Sequence, residues 1–123
     1  MPKVQFTIPT ATPSLNVWQR MHWGARKRLK AVFFEHCHAA RVTSGADINT
    51  DQPVKVTITR YSGKRGRPVA LDDDNLRGGC KGLVDGIVKA GLAVDDSPDW
   101  MTVEYVDAGK DGDGRTEVEV ANV

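Results

Sequence analysis

The chain has 123 residues and a mass of 13.5 kDa, with 40% hydrophobic and 27% charged residues, enough for one domain around one modest core and too little for two. Disorder is excluded as the default, no apolar run approaches the roughly 18 residues of a membrane span, and residues 1–15 have neither the basic nor the apolar region of a secretory signal. The net charge of +1 hides a split: residues 1–71 hold twelve Lys/Arg against three Asp/Glu, whereas residues 72–123 hold five against thirteen.

Val4, Phe6 and Ile8 alternate with polar residues and predict a short half-buried strand, which Pro9 and Pro13 end. Leu29, Val32, Phe33, His36 and Ala40 recur at helical spacing and predict a helix from about Ala25 to Val42. Val54, Val56 and Ile58 alternate again, giving a strand that ends near Arg60 or Tyr61. A second helix is expected from Asn75 to Lys89, with Leu76, Cys80, Leu83 and Ile87 inward and Gly91 just past its end. Trp100 to Val106 reads as a strand, Gly109 to Gly114 as a hairpin turn, and Arg115 to Val120 as the closing strand. The order β-α-β-α-β-β predicts an α+β fold: a mixed sheet of four strands, or five, with two helices on one face. Residues 1–123 form a single domain without repeats.

The densest chemistry is Leu71-Asp72-Asp73-Asp74-Asn75-Leu76, followed after the second helix by Val94-Asp95-Asp96-Ser97. Asp72 and Asp74 share a face if the segment is extended. Carboxylates converging at one end of a sheet repel one another, so a site closed to water needs a cation. Oxygen ligands without His or Cys suit Mg²⁺, with Mn²⁺ as a substitute, rather than zinc. The competing reading is helix capping by Asp74 or Asn75, which leaves the second acidic pair without a role. A calcium loop starting at Asp107 fails, because Val118 falls where the bidentate Glu belongs. In Glu35-His36-Cys37-His38 the two histidines point to different faces of a helix, which disfavours zinc.

Two basic clusters suit a polyanion. Arg20, His22, Arg26, Lys27, Arg28 and Lys30 surround Trp18 and Trp23, with no acid between residues 17 and 34. Arg60, Lys64, Arg65 and Arg67 precede the aspartates, and Arg65-Gly66-Arg67-Pro68 resembles an AT-hook core. Long basic side chains with interleaved aromatics track phosphates, so Arg20, Arg26, Lys27, Arg28, Lys30, Lys64, Arg65 and Arg67 are the candidate DNA contacts. The competing reading is a solvated helix face. Cys37 and Cys80 are too few for a disulfide framework and fit a reduced, cytoplasmic setting.

Asp72-Asp73-Asp74-Asn75-Leu76, then Lys81, Asp85, Lys89-Ala90-Gly91-Leu92 and Asp95-Asp96 resemble the RusA-type Holliday junction resolvases. Pro13-Ser14-Leu15-Asn16 is similar to that family's opening segment. Alignment of Lys81, Asp85 and Gly91 leaves Gly78-Gly79-Cys80 as an insertion, with Arg77 as the alternative local cation. The resemblance implies a homodimeric, Mg²⁺-dependent endonuclease that cuts four-way DNA junctions symmetrically in recombination and repair. It also implies that Asp72, Asp74 and Asp96 are the catalytic, metal-holding carboxylates and Lys81 the catalytic lysine. The alternatives are a metal-dependent nuclease with another DNA substrate and a DNA-binding protein without catalysis. Gly78, Gly82 and Gly86 form a stripe that something must approach closely, either the first helix or a second protomer.

Overall fold

A computed structural model of the chain describes residues 2–63, 71–110 and 112–123. The alternating segments form β1 (Lys3–Ile8), β2 (Val54–Tyr61), β3 (Met101–Gly109) and β4 (Arg115–Asn122). They make one sheet in the order β1-β4-β2-β3, with β4 antiparallel to both β1 and β2, and β3 parallel to β2. The fold is α+β. The expected hairpin across residues 109–114 is not one, because β2 lies between β3 and β4. Alternation dictates which face a residue takes but not which strand lies alongside. The 109–114 connection instead passes the end of β2, where Gly63 adopts φ 83° and a Cβ would sit 2.6 Å from the Gly114 nitrogen.

One face of the sheet is apolar. Val54, Val56 and Ile58 of β2 and Val118 and Val120 of β4 are buried there with Phe33, Cys37, Leu83 and Ile87 from the helices. Each fully buried side chain of that size contributes roughly 1.5–3 kcal/mol. The opposite face is a shallow polar depression lined by Gln5, Thr7, Thr57, Thr59, Glu117 and Glu119, as alternation requires.

Each predicted helical region differs from expectation in one respect. A short helix α1 (Leu15–Arg20) precedes the first long one, because the Ser14 hydroxyl accepts from the Val17 amide at 3.1 Å and caps it. The long helix α2 runs Trp23–Ser44, capped by His22 Nδ1, which accepts from the Gly24 amide. The expected helix over 75–89 is two helices, α3 (Asp73–Gly79) and α4 (Lys81–Lys89), jointed at Cys80 (φ −90°, ψ −1°).

The joint lies beside a close backbone crossing. The Pro13–Ser14 backbone crosses α3 at Gly79, where a Cβ would lie 1.6 Å from the Pro13 carbonyl oxygen. The glycine stripe packs within the chain: Gly78 on Leu15, Gly82 on Trp18 and Lys30, Gly86 against the Phe33–Phe34 backbone. Gly79→Ala therefore forces backbone apart and is expected to cost about 3 kcal/mol, read as a lower urea midpoint at unchanged slope.

Both cysteines are buried and free. Burial pushes the Cys37 thiol from 9.0 to about 12 and the Cys80 thiol to about 11, the latter tempered by Thr12 and Arg60. Neither should react with a thiol reagent at pH 8 until the chain unfolds, because the thiolate is the nucleophile. Ionisation favours the unfolded chain, so stability should fall as pH rises past about 9. Rapid labelling of the folded protein would contradict this. Among the described residues, no helix is long and apolar enough to cross a membrane.

Candidate functional site

Asp72, Asp73 and Asp74 are exposed at the start of α3. The cap is Asp72, not Asp74 or Asn75. Its Oδ1 accepts from the Asn75 amide at 2.9 Å, and the Asn75 side-chain amide donates to both Asp72 oxygens. Asp73 pairs with Arg77 at 3.0 Å, an exposed (i, i+4) contact worth a few tenths of a kcal/mol. The Arg77 guanidinium also lies over the Tyr105 ring, 5.2 Å from its centroid. Among the described residues Asp74 has no hydrogen bond or ion pair, so its carboxylate faces water unspent.

The chain enters this turn from a fixed point. The Leu71 amide donates to Asp107 Oδ2 at 2.9 Å, and the Gly109 amide donates to Asp107 Oδ1 at 3.2 Å. Arg60 Nη1 lies 3.8 Å from the same carboxylate, with side chains 15% and 7% exposed. Arg60 Nε donates to the Thr12 carbonyl at 2.7 Å. Arg60, grouped above with the basic residues ahead of the aspartates, thus points inward. In the sequence Asp107 stands out only as the start of the rejected calcium loop, and nothing there signals this role near the end of β3.

The second acidic pair lies elsewhere. The Trp100 and Met101 amides both donate to the Ser97 carbonyl, so Asp95 and Asp96 sit one turn before the start of β3. Asp72 follows the residue held by Asp107 at the other end of that strand. Six residues of extended chain span about 20 Å. The expectation that the carboxylates converge at one end of the sheet is therefore corrected for a single chain. Among the described residues no group of three His, Cys, Asp or Glu side chains is placed to hold a metal ion. The reason is connectivity: because β3 runs parallel to β2, the chain must return along the helices before β3 begins. The Ser97 hydroxyl, with the Asp96 and Ser97 amides, holds the Asp95 carboxyl below the usual range. Asp96 is exposed.

Arg20, Lys27, Arg28 and Lys30 are exposed along α1 and the first turns of α2. Arg26 is half-buried, its guanidinium 5.5 Å from the Trp18 ring centroid and donating to the Met21 carbonyl, and its Nε is buried without a hydrogen-bond partner among the described residues. The two tryptophans divide: Trp18 is buried, whereas Trp23 is 71% exposed. Lys64, Arg65 and Arg67 lie outside the described residues. Lys81 opens α4 and is exposed, with no ion pair to Asp72, Asp74 or Asp85. The acidic and basic regions are stitched together where the Asn16 amide donates to Asn75 Oδ1 at 3.2 Å.

No protein-family model matches the chain, and no curated protein matches it.

Proposed function

We propose that the protein is a Mg²⁺-dependent endodeoxyribonuclease that resolves four-way DNA junctions as a homodimer in the cytoplasm. The observation that carries the reading is the placing of an exposed acidic turn beside an exposed basic helical surface, joined through Asn16 and Asn75. Lys27, Arg28, Lys30 and Arg20 would hold the phosphates, and Lys81 would add a fixed charge near the scissile one. The resemblance of Asp72–Leu76, Lys81 and Asp95–Asp96 to RusA-type resolvases points the same way.

The donor chemistry fits Mg²⁺, whereas a single chain does not assemble the set. Completing the set would take a homodimer in which Asp96 comes from the second protomer. Held by these carboxylates, Mg²⁺ would supply an activated water and positive charge beside the phosphodiester. A two-fold pair also matches the two equivalent strands of a junction.

The deciding assay offers four-way, flap and linear duplex DNA with Mg²⁺ or with EDTA. The expected result is paired symmetric nicks in the four-way substrate, only with Mg²⁺. Equal cutting of flaps would reassign the substrate. A second reading, DNA binding without catalysis, is favoured by the Asp72 cap and the Asp73–Arg77 pair, and binding without any cleavage would establish it.

Binding should also weaken steeply with salt. Replacing Lys27 and Arg28 together by Ala should weaken every DNA target alike and flatten the slope of log K against log salt by about 2. A salt-independent affinity of the unmodified protein would remove DNA from the reading.

A further inference from the structure

Asp107 and Arg60 are the most buried ion pair among the described residues. A buried carboxylate persists only where charge and hydrogen bonds compensate its lost hydration. Asp107 is compensated by the Leu71 amide, the Gly109 amide and the Arg60 guanidinium. Each partner belongs to a different segment. Leu71 leads into the acidic turn, Gly109 is the last residue of β3, and Arg60 carries the contact on to Thr12. Thr12 is itself fully buried, its amide donating to Thr116 Oγ1. One residue further, the Pro13 carbonyl crosses Gly79 of α3. The acidic helix is thus gripped in two places, ahead of its cap and near its last turn, and both grips lead back to one ion pair.

We propose that Asp107, with Arg60 behind it, is a positioning residue for Asp72 and Asp74: it fixes the Leu71 amide and so sets where the two carboxylates stand. The inference deepens the nuclease reading and rests on it for its catalytic meaning, but the placement can be measured without cleavage.

Leu71 lies outside any helix or strand, and among the described residues Asp107 is the one acceptor for its amide, so protection of that amide reports this contact. Hydrogen exchange should be followed residue by residue in the unmodified protein, in Asp107→Asn, and in the double variant Arg60→Met/Asp107→Leu. Asparagine retains an acceptor for Leu71. The double variant removes acceptor and charges together, leaving no uncompensated charge behind. The expected result is a protected Leu71 amide in the unmodified protein and in Asp107→Asn. In the double variant that amide should exchange at least tenfold faster, with α4 unchanged. On four-way DNA, the Mg²⁺ concentration for half-maximal cleavage should rise about tenfold in the double variant and stay near the original in Asp107→Asn.

A Leu71 amide that exchanges freely in the unmodified protein would overturn the proposal. So would protection unaltered in the double variant, or exchange that rises equally across α4, or a metal requirement that does not move while cleavage persists. If the unmodified protein cuts no DNA, the nuclease reading fails by itself, and the exchange results still decide whether Asp107 positions the turn.

Discussion

Asp74→Asn is expected to abolish junction cleavage, by on the order of a hundredfold or more, while junction affinity stays within a few-fold. A metal-bound carboxylate supports several kcal/mol of transition-state charge stabilisation, and each 1.36 kcal/mol is a factor of ten in rate. The substitution is clean because Asp74 is exposed and engages no other described residue, so stability should move by less than about 0.5 kcal/mol. Asp72→Asn is its control. Asparagine caps a helix as well as aspartate does, so any loss of cleavage there reports charge rather than folding. Single-turnover cleavage with saturating protein, beside binding in EDTA, measures both. Near-normal cutting by Asp74→Asn would end the metal assignment.

Lys81→Ala should lower the single-turnover rate by roughly ten- to a thousandfold, as losing a charge at a developing anion does. The structure makes this informative, because a lysine in the first turn of α4 opposes the helix dipole by about 0.3–1 kcal/mol. Removing it should leave the fold slightly more stable, so a slower reaction could not be blamed on unfolding. Arg77→Ala is the comparison. Arg77 is the cation that touches the acidic turn, through Asp73, and rests on Tyr105. Its exposed ion pair contributes only a few tenths of a kcal/mol. A silent Lys81→Ala beside a crippled Arg77→Ala would transfer the catalytic charge to Arg77.

Much of the layout is legible in the residues. Val54-Val56-Ile58 and Thr116-Val118-Val120 announce strands with one buried face, and Leu83 and Ile87 announce the inner side of a helix. What the pattern lacks is long-range information. Alternation at Trp100–Val106 and Arg115–Val120 says nothing of the strand that separates them, and a local turn reading filled the gap. The joint at Cys80 had a local sign in Gly78-Gly79, but the backbone that crosses beside it is that of Pro13, 66 positions before Gly79. Ser14 ahead of Leu15 and Trp18 could have revealed α1; the two prolines nearby obscured it. The separation of Asp96 from Asp72 follows from β3 being parallel to β2, a fact carried by pairing and by no single residue. The role of Asp107 was hidden for the same reason, since Leu71 and Arg60 lie 36 and 47 positions away.

The seat of β4 has a consequence for how the protein is made. The last strand is the one that joins β1 to the rest, pairing Val4 with Val120 on one side and Val56 with Val120 on the other. On the ribosome, β1 must therefore wait unpaired until residues 115–122 have emerged. Contacts that close over more than a hundred positions are slow to form and leave strand edges open meanwhile. Refolding in milliseconds to seconds is the matching expectation, and a nascent chain halted before Arg115 should remain open to protease along β1.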